Sequence, residues 1–168
     1  MTGYVLLARS PRAPDGHRSW WQDAAGGPAY CLVSYHDTAA RAADAADAAD
    51  EVWIGRSCGA RQWSPPPPEA GALLAVGQEP RPGYEDEFTR WMDGEHVPAL
   101  GGVTGTLSAQ RYEAVTGSPR FYALYYLTGT DVPVSAEWRA ASDTPWRARM
   151  RDHTQGRVRT MYLPACSS

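Results

Sequence analysis

Alternating and fully apolar stretches divide the second half of the chain into strands and amphipathic helices. Strands are predicted where the apolar runs are short, at 72–78, 106–115, 120–127 and 158–164. Helices are predicted over 84–97, where Pro98 ends the pattern, and over 135–151, where Thr144-Pro145 restarts it as N-cap and first helical residue. The resulting order is βαββαβ, a split unit of the ferredoxin type.

The first half repeats this order in a less regular form. Strands are predicted at 4–10, 27–36 and 60–65, an alanine-rich helix at 38–53, and a short helix around Trp20-Trp21. Residues 28–35 match residues 119–126 in character, and residues 63–65 match residues 162–164. This self-similarity indicates an internal repeat of the βαββαβ unit.

The spacing between elements predicts where the first copy is shortened. Only six residues separate Trp21 from Pro28, whereas 27 residues separate Trp91 from Pro119. The first half therefore lacks room for a complete first helix and the strand that follows it.

A run of four prolines, 65–68, separates the two copies. Proline lacks the amide donor and fixes an extended backbone, so this run is neither helix nor central strand. The predicted organisation is an abridged ferredoxin-like unit at 1–64, a linker at 65–71 and a complete unit at 72–168.

Composition and charge limit the function classes. The chain has 168 residues, of which 43% are hydrophobic and 21% charged, and its formal charge is −3. These values are typical of a globular chain and predict no basic surface for nucleic acid. No apolar stretch approaches the roughly 20 residues that cross a bilayer. Cys31, Cys58 and Cys166 lack a C-x-x-C spacing, so we expect a reduced, cytoplasmic protein without membrane or nucleic-acid partners.

Common catalytic and metal motifs are missing from the sequence. It contains no G-x-x-x-x-G-K-[ST], G-x-G-x-x-G or G-x-S-x-G string, which excludes the common nucleotide-binding and serine-hydrolase classes. Its four histidines lack H-x-H and H-E-x-x-H spacing, so no metal site is predicted. Five arginines cluster at positions 147, 149, 151, 157 and 159. Helix and strand spacing distributes them over several faces, which gives only weak support to an anion site. A clamp for phosphate or carboxylate groups is kept as an alternative.

The helix predicted at 84–97 carries the most specific string of the chain. One apolar stripe is expected along it, formed by Tyr84, Phe88, Trp91, Met92, Glu95 and Ala99. His96 lies roughly 40° beyond Met92 at 100° per residue, so it flanks the buried face. In the last turn, the helix dipole and Asp93 would both favour an imidazolium. His96 is therefore a candidate general acid/base, and the alternative is a helix-terminal histidine that caps carbonyls.

The string E-D-E-F-x-x-W-x-D-x-E-H-x-P, with the elements that follow it, resembles EthD-like members of the dimeric α/β-barrel superfamily. The likeness covers about residues 72–164. In that superfamily two ferredoxin-like units pack their sheets face to face and enclose a pocket. Its members include cofactor-free monooxygenases, polyketide cyclases, lactone isomerases and haem enzymes. The resemblance implies an α+β chain of tandem ferredoxin-like units forming a pseudo-dimeric α/β barrel, with the first unit abridged.

The resemblance also implies a pocket between sheet and helices with His96 near its mouth. Met92 stands where an aromatic residue is common, and Gly94 where an acidic one is. Glycine lowers helix propensity by about 1 kcal/mol relative to alanine. We therefore expect the helix to loosen just before His96.

Further candidate site residues follow from strand alternation. Tyr122 and Tyr126 share one face of their strand, and we expect them in the pocket with Tyr112 of the neighbouring strand. The alternative for each is a core tyrosine whose hydroxyl bonds the backbone. His36 ends the strand 27–36, where strand ends surround the pocket mouth in this architecture. It is the second acid/base candidate, and a surface histidine beside the helix N-cap Asp37 is the alternative.

Four large side chains complete the expected substrate site. Trp91 and Met92 lie beside His96 on the same helix. Trp20 and Trp21 are either an aromatic wall over a planar ligand or a plug for the side that the shortened first unit leaves open.

These observations predict a cofactor-independent enzyme of small-molecule biosynthesis acting on an apolar, cyclic or polyketide-like substrate. Cyclisation, isomerisation or dehydration would use His96 as acid/base, with Tyr112, Tyr122 or His36 assisting. A cofactor-free monooxygenase and a non-catalytic carrier of a hydrophobic metabolite are the alternatives. Haem is the one cofactor kept open, with His96 as its ligand, and a homodimer is the partner kept open.

Overall fold

A computed structural model describes residues 3–11, 20–25, 30–46, 49–59 and 67–165. The first half contains strands β1 (Tyr4–Ser10), β2 (Trp20–Asp23), β3 (Tyr30–His36) and β4 (Glu51–Cys58), with helix α1 (Ala39–Asp44) between β3 and β4. Thr38 caps α1 by accepting a hydrogen bond from the backbone N–H of Arg41.

The second half contains strands β5 (Ala72–Pro80), β6 (Thr106–Thr116), β7 (Phe121–Leu127) and β8 (Thr154–Pro164). Between β5 and β6 runs one long helical segment, in which α2 (Glu85–Trp91) is followed by a π-helical turn (Met92–His96) and by α3 (Val97–Gly101). Between β7 and β8 lie a 3₁₀ turn (Val132–Val134), α4 (Ala136–Ser142) and α5 (Pro145–Arg151). The restart of the helix at Thr144-Pro145 is confirmed, because Thr144 caps α5.

The eight strands form a closed barrel in the order β1-β3-β2-β8-β5-β7-β6-β4. Within the first half the order is β4-β1-β3-β2, and within the second half it is β8-β5-β7-β6. Both are the same ferredoxin-like order, and the halves join through β2 with β8 and β4 with β6. The predicted fold class is confirmed: the chain is an α+β pseudo-dimeric α/β barrel.

The strand registers relate the two halves by one consistent set of equivalent positions. Val5 lies opposite Tyr35 in the first half, and Leu73 lies opposite Tyr126 in the second. The same equivalence holds at both junctions, where Trp21 faces Pro164 and Ser57 faces Tyr112. The barrel is therefore organised around a pseudo-two-fold axis that passes between the two sheets.

Three predictions for the first half are wrong. The short helix expected around Trp20-Trp21 is strand β2, and the helix expected at 38–53 ends at Asp44. Trp53 belongs to β4, whereas the strand expected at 60–65 lies outside the described residues. The prediction that the first half lacks the strand after its first connection is also wrong, because β2 is that strand, and the abridgement is in the connection itself.

The lengths of these connections measure the difference between the halves. Nine residues, 11–19, join β1 to β2, whereas 25 residues, 81–105, join β5 to β6. The longer connection carries α2, the π-helical turn and α3, which cover the second sheet.

Pro98 does not end the helix as predicted. The segment changes its hydrogen-bonding pattern at the π turn, and Pro98 becomes the second residue of α3. Proline is tolerated in a first helical turn because its missing N–H is not needed there. The helical segment consequently continues to Gly101.

Apolar side chains form separate cores on the two faces of the second sheet. One core lies between the sheet and its helices and contains Phe88, Trp91, Leu74 and Tyr125. The other fills the barrel interior and contains Leu73, Tyr112, Tyr122 and Tyr126. No helix within the described ranges is long and apolar enough to cross a membrane.

Candidate active site

The predicted site residues of the second half lie on opposite faces of its sheet. Tyr112, Tyr122 and Tyr126 point into the barrel interior. Trp91 and Met92 pack on the helix side. The structure therefore does not bring the three tyrosines to His96. Alternation correctly grouped Tyr122 with Tyr126, but the tyrosine of β7 that faces the helices is Tyr125.

His96 lines a pocket between the second sheet and its helices, which we call the helix pocket. The opening beside Tyr125 has a volume of about 50 Å³, and an adjoining opening of about 60 Å³ shares His96. Its apolar wall comes from Leu74, Val76, Met92, Leu100, Ala123 and Trp138. Its polar groups are Gln78, Ser142, Arg147, Arg157 and Arg159. The adjoining opening adds Trp91, Arg151 and Thr154.

The π-helical turn places His96 in this pocket. It spans Met92–His96 with Gly94 at its centre, which agrees with the loosening expected from the glycine. A π turn holds an extra residue per turn, so it shifts the angular position of the side chains that follow it. Single π turns within α-helices are frequent at functional sites. His96 is thereby turned toward the sheet, in the middle of the helical segment.

The environment of His96 favours the neutral imidazole. Burial, followed by the charges of Arg147 and Arg157, lowers its pKa to about 4. The predicted imidazolium is not supported, because the helix continues through α3 and Asp93 bonds Arg111 instead. The imidazole ring packs on Trp91 with a centroid distance of 4.5 Å. At neutral pH His96 is therefore a neutral group that is able to accept a proton.

Glu95 connects the π turn to the start of α5. The hydroxyl of Thr144 donates to Glu95 Oε1 at 2.5 Å and accepts from the backbone N–H of Arg147 at 3.1 Å. A single threonine thus caps α5 and fixes it to the residue beside His96. This link holds Arg147 against the pocket.

Four arginines of the predicted basic cluster meet at the helix pocket. Arg147 and Arg151 come from α5, while Arg157 and Arg159 come from the outer face of β8. Burial and the neighbouring Arg147, Arg159 and Arg151 lower the pKa of Arg157. Helix and strand spacing places these residues on several faces of separate elements. They converge only in the folded chain, where those elements pack together.

A buried ion pair fastens the π turn to β6. Arg111, whose side chain is 4% exposed, donates to Asp93 Oδ2 at 3.1 Å. Its guanidinium also lies 5.1 Å from the ring centre of Phe121 and 5.9 Å from that of Phe88. Burial raises the pKa of Asp93, and the charge of Arg111 opposes that rise. The sequence gives no signal for this pair, since its partners are 18 residues apart on different elements.

In the barrel interior, tyrosine hydroxyls bond other side chains. Tyr35 and Tyr126 share a hydrogen bond of 2.6 Å. The guanidinium of Arg9 donates to the hydroxyl of Tyr122 at 2.9 Å and to that of Tyr162 at 3.2 Å. Burial raises the pKa of Tyr122, and Arg9 partly offsets the rise. The hydroxyls of Tyr35, Tyr122, Tyr126 and Tyr162 are therefore paired with other side chains of the barrel interior.

The two remaining aromatic candidates lie at the shortened side of the barrel. Trp21 is buried in the interior, with its ring centre 5.9 Å from that of Tyr126. This position corresponds to the plug alternative. Trp20 is part of β2, and its side chain lies outside the described residues.

His36 lies on the first half, in a shallow depression with Asp37, Arg41 and Asp44. Its Nε2 is 2.8 Å from Ser34 Oγ, and burial lowers its pKa. Its register position is equivalent to that of Leu127, as the repeat predicts. His36 shares no pocket lining with His96.

Neither a metal nor haem is supported by the residues present. In the part of the chain that the structure describes, no three His, Cys, Asp or Glu residues are grouped to hold a metal ion. The two adjoining openings at His96, of about 50 and 60 Å³, are open to solvent at their mouth and are far smaller than the space that a porphyrin requires. A porphyrin ligated by His96 does not fit, because the helices would have to separate from the sheet.

No protein-family model and no curated protein matches the sequence. Solved structures do match the fold. A proposed monooxygenase of Fusobacterium nucleatum is 10% identical with a TM-score of 0.63, over 97% of this chain and 91% of that one. A ferredoxin-fold protein of Listeria monocytogenes, related to antibiotic biosynthesis monooxygenases, is 9% identical with a TM-score of 0.57, over 99% and 96%.

A third structure, of a major regulator of staphylococcal pathogenesis, is 6% identical with a TM-score of 0.59, over 98% of this chain and 100% of that one. One fold thus carries proteins of different function. At these identities the likeness concerns the fold, and membership of the EthD-like group stays a prediction. The chain has the fold of the ferredoxin-type α/β barrels, with both of its units in one polypeptide.

Proposed function

We propose that the chain is a cofactor-independent enzyme that removes a proton from a small cyclic substrate, with His96 as the base. One observation carries this proposal: His96 lines an apolar pocket that polar side chains also line, where burial favours its neutral imidazole. A base that is unprotonated at neutral pH can take a proton from an acidic C–H or phenolic O–H group. Such a step begins cyclisation, isomerisation and dehydration alike.

The oxygen of the resulting enolate needs a hydrogen-bond donor. Tyr125 lines the pocket, and burial raises its pKa, so its hydroxyl keeps its proton at neutral pH. Tyr125 therefore takes the role that the sequence assigns to Tyr112 or Tyr122. Convergence of Gln78, Ser142 and the arginines near His96 supports an enzyme over a carrier, since a carrier needs no such set.

Deuterium exchange tests the proposal without knowledge of the product. The protein is incubated in D₂O with a panel of cyclic monoketones and hydroxyaromatic ketones, whose C–H groups next to the carbonyl exchange slowly without a catalyst, and loss of that C–H signal is followed by NMR. We expect exchange above the buffer rate, and we expect it to be lost in His96→Gln. His36→Gln is the matched control and should exchange at the wild-type rate. Equal exchange in His96→Gln and the wild type would exclude His96 as the base.

A second candidate is a cofactor-free monooxygenase. It is favoured by one similar solved structure described as a proposed monooxygenase and by another described as related to antibiotic biosynthesis monooxygenases. The same proton removal would give a carbanion that reacts with O₂, so that an activated CH₂ group becomes C=O and one water is released. An oxygen electrode separates the candidates. Oxygen uptake that depends on substrate and on His96 would support the monooxygenase, and exchange or turnover without uptake would support the first candidate.

A further inference from the structure

The helix pocket combines an apolar wall with a strongly positive mouth. Arg147, Arg157 and Arg159 line the opening beside His96, and Arg151 lines the adjoining one. Among the described residues, neither lining includes an aspartate or a glutamate. The charge at the mouth is therefore of one sign, although the sequence predicts an apolar ligand.

The described ion pairs do not neutralise this charge. Arg147 has one partner, Asp143, at 3.6 Å, and that carboxylate is 81% exposed. Within the described ranges Arg157 and Arg159 form no ion pair with an acidic side chain. Like charges held together without a counter-charge favour an external anion.

The pocket geometry indicates how such an anion would lie. Val76 of β5 is the register partner of Arg159 on β8, so an apolar and a cationic side chain lie side by side on neighbouring strands. Leu74, Val76 and Tyr125 would contact the apolar part of a ligand, while the arginines would contact its charged end. Guanidinium groups bind carboxylates through paired hydrogen bonds.

We propose that the helix pocket binds a small organic carboxylate, with the carboxylate at Arg147, Arg157 and Arg159 and the apolar part against Leu74, Val76 and Tyr125. This inference rests on the proposed function in one respect: it takes the bound carboxylate to be the substrate of the enzyme. Binding itself requires no catalysis, so it is tested separately.

A bound carboxylate would also change His96. The charged and titratable groups near the imidazole are Arg147 and Arg151 on α5, Arg157 and Arg159 on β8, Tyr125 on β7, and Asp93 and Glu95 in its own turn. Asp93 is paired with Arg111, and Glu95 bonds Thr144. An added negative charge would offset the arginines and raise the pKa of His96 from about 4. The substrate would thereby make its own base stronger.

Calorimetric titration with benzoate, using benzamide as the neutral isostere, tests the carboxylate site. We expect benzoate to bind more tightly than benzamide, and NMR titration should show a higher His96 pKa with benzoate present. Arg157→Gln and Arg159→Gln should each weaken benzoate binding about tenfold and leave benzamide unchanged. Arg149→Gln is the control, because Arg149 is an exposed residue of α5 outside the pocket lining. Circular dichroism confirms that each variant is folded.

Several outcomes would overturn the proposal. Equal binding of benzoate and benzamide, binding of neither, or an equal loss in Arg149→Gln would each do so. Tighter binding of phenyl phosphate than of benzoate would assign the mouth to phosphate esters and contradict the carboxylate. If benzoate binds through the arginines but no deuterium exchange occurs, the anion site stands and the proposed proton abstraction fails. If exchange requires His96 but benzoate binds no more tightly than benzamide, the proposed proton abstraction stands and the carboxylate site fails.

Discussion

Tyr35 and Tyr126 occupy equivalent positions in the two halves of the barrel, and their hydroxyl oxygens lie 2.6 Å apart. Each points inward from the third strand of its own unit, so the two rings meet at the pseudo-two-fold axis. Burial is the first cause of the raised pKa of both hydroxyls, which keeps them protonated. The hydrogen bond is thus made between two neutral groups across the axis.

Replacement of Tyr126 by phenylalanine should lower the free energy of unfolding by about 1–2 kcal/mol, because Tyr35 would lose a buried partner. Tyr35→Phe should have a similar effect. The double variant should lose less than the sum of the single losses, since the hydrogen bond can be removed only once. Urea denaturation of the four proteins measures this coupling. Strict additivity would mean that the bond does not contribute to stability.

The low pKa of His96 predicts a pH-dependent stability. In the unfolded chain its pKa would be near 6.5, and in the folded chain it is about 4. Between these values the unfolded state binds more protons, so stability should fall as the pH falls from about 6.5 to 4. The neutral variant His96→Gln removes this contribution. As the pH falls from about 6.5 to 4, the free energy of unfolding of His96→Gln should therefore rise relative to that of the wild type, by at most about 3 kcal/mol. An unchanged difference, or an NMR midpoint near 6.5, would contradict the prediction.

The Asp93–Arg111 pair should be important for the position of the π turn. Asp93→Asn leaves the nearly buried guanidinium without its counter-charge and should cost about 3 kcal/mol of unfolding free energy. Glu113→Gln is the matched control, because its partner Arg120 is half-exposed. That change should cost less than about 1 kcal/mol. Similar losses of unfolding free energy in the two variants would show that the Asp93–Arg111 pair stabilises the fold no more than the exposed pair does.

Gly94 should tolerate a side chain. A Cβ at this position would meet no atom within 4 Å, and alanine has the higher helix propensity. Gly94→Ala should therefore raise the free energy of unfolding by about 0.5–1 kcal/mol. Gly105→Ala is the contrasting change, because Gly105 has a φ of +89° and its Cβ would lie 2.6 Å from Val132 Cγ2. We expect the contrasting variant to be destabilised. A loss of stability in Gly94→Ala would show that the π turn requires glycine.

The strands of the second half could be predicted closely from the sequence. The predicted strands at 72–78 and 106–115 are observed as Ala72–Pro80 and Thr106–Thr116. β5 is buried on both faces, which produces a nearly continuous apolar run, and β6 lies between clear turn residues. In the first half, β2 has only four residues, and its two tryptophans show no readable period. The alanine-rich sequence before β4 also hides the change from helix to strand.

The candidate site could be predicted only in part. Helical spacing placed His96 beside the buried stripe, and the glycine marked the irregular turn. Alternation along β7 showed that Tyr122 and Tyr126 share a face, but it contains no information on which face meets the helices. The arginines of the pocket lie on α5 and β8, and their convergence depends on tertiary packing. The sequence therefore does not predict the environment that sets the pKa of His96.

The pseudo-two-fold register has a consequence for what each half can become. In a barrel of two identical chains, every position near the axis is filled twice by the same residue. Here Arg9 is equivalent to Gly77, and Tyr122 to Cys31. A side chain at Gly77 would overlap the ring of Tyr122, with its Cβ only 2.8 Å from Cζ, while that tyrosine accepts a hydrogen bond from Arg9. Large side chains of one half therefore pack where the other half has small ones, and two identical subunits cannot adopt this arrangement. Covalent fusion releases the two halves from symmetry and lets one specialise in support while the other holds the pocket.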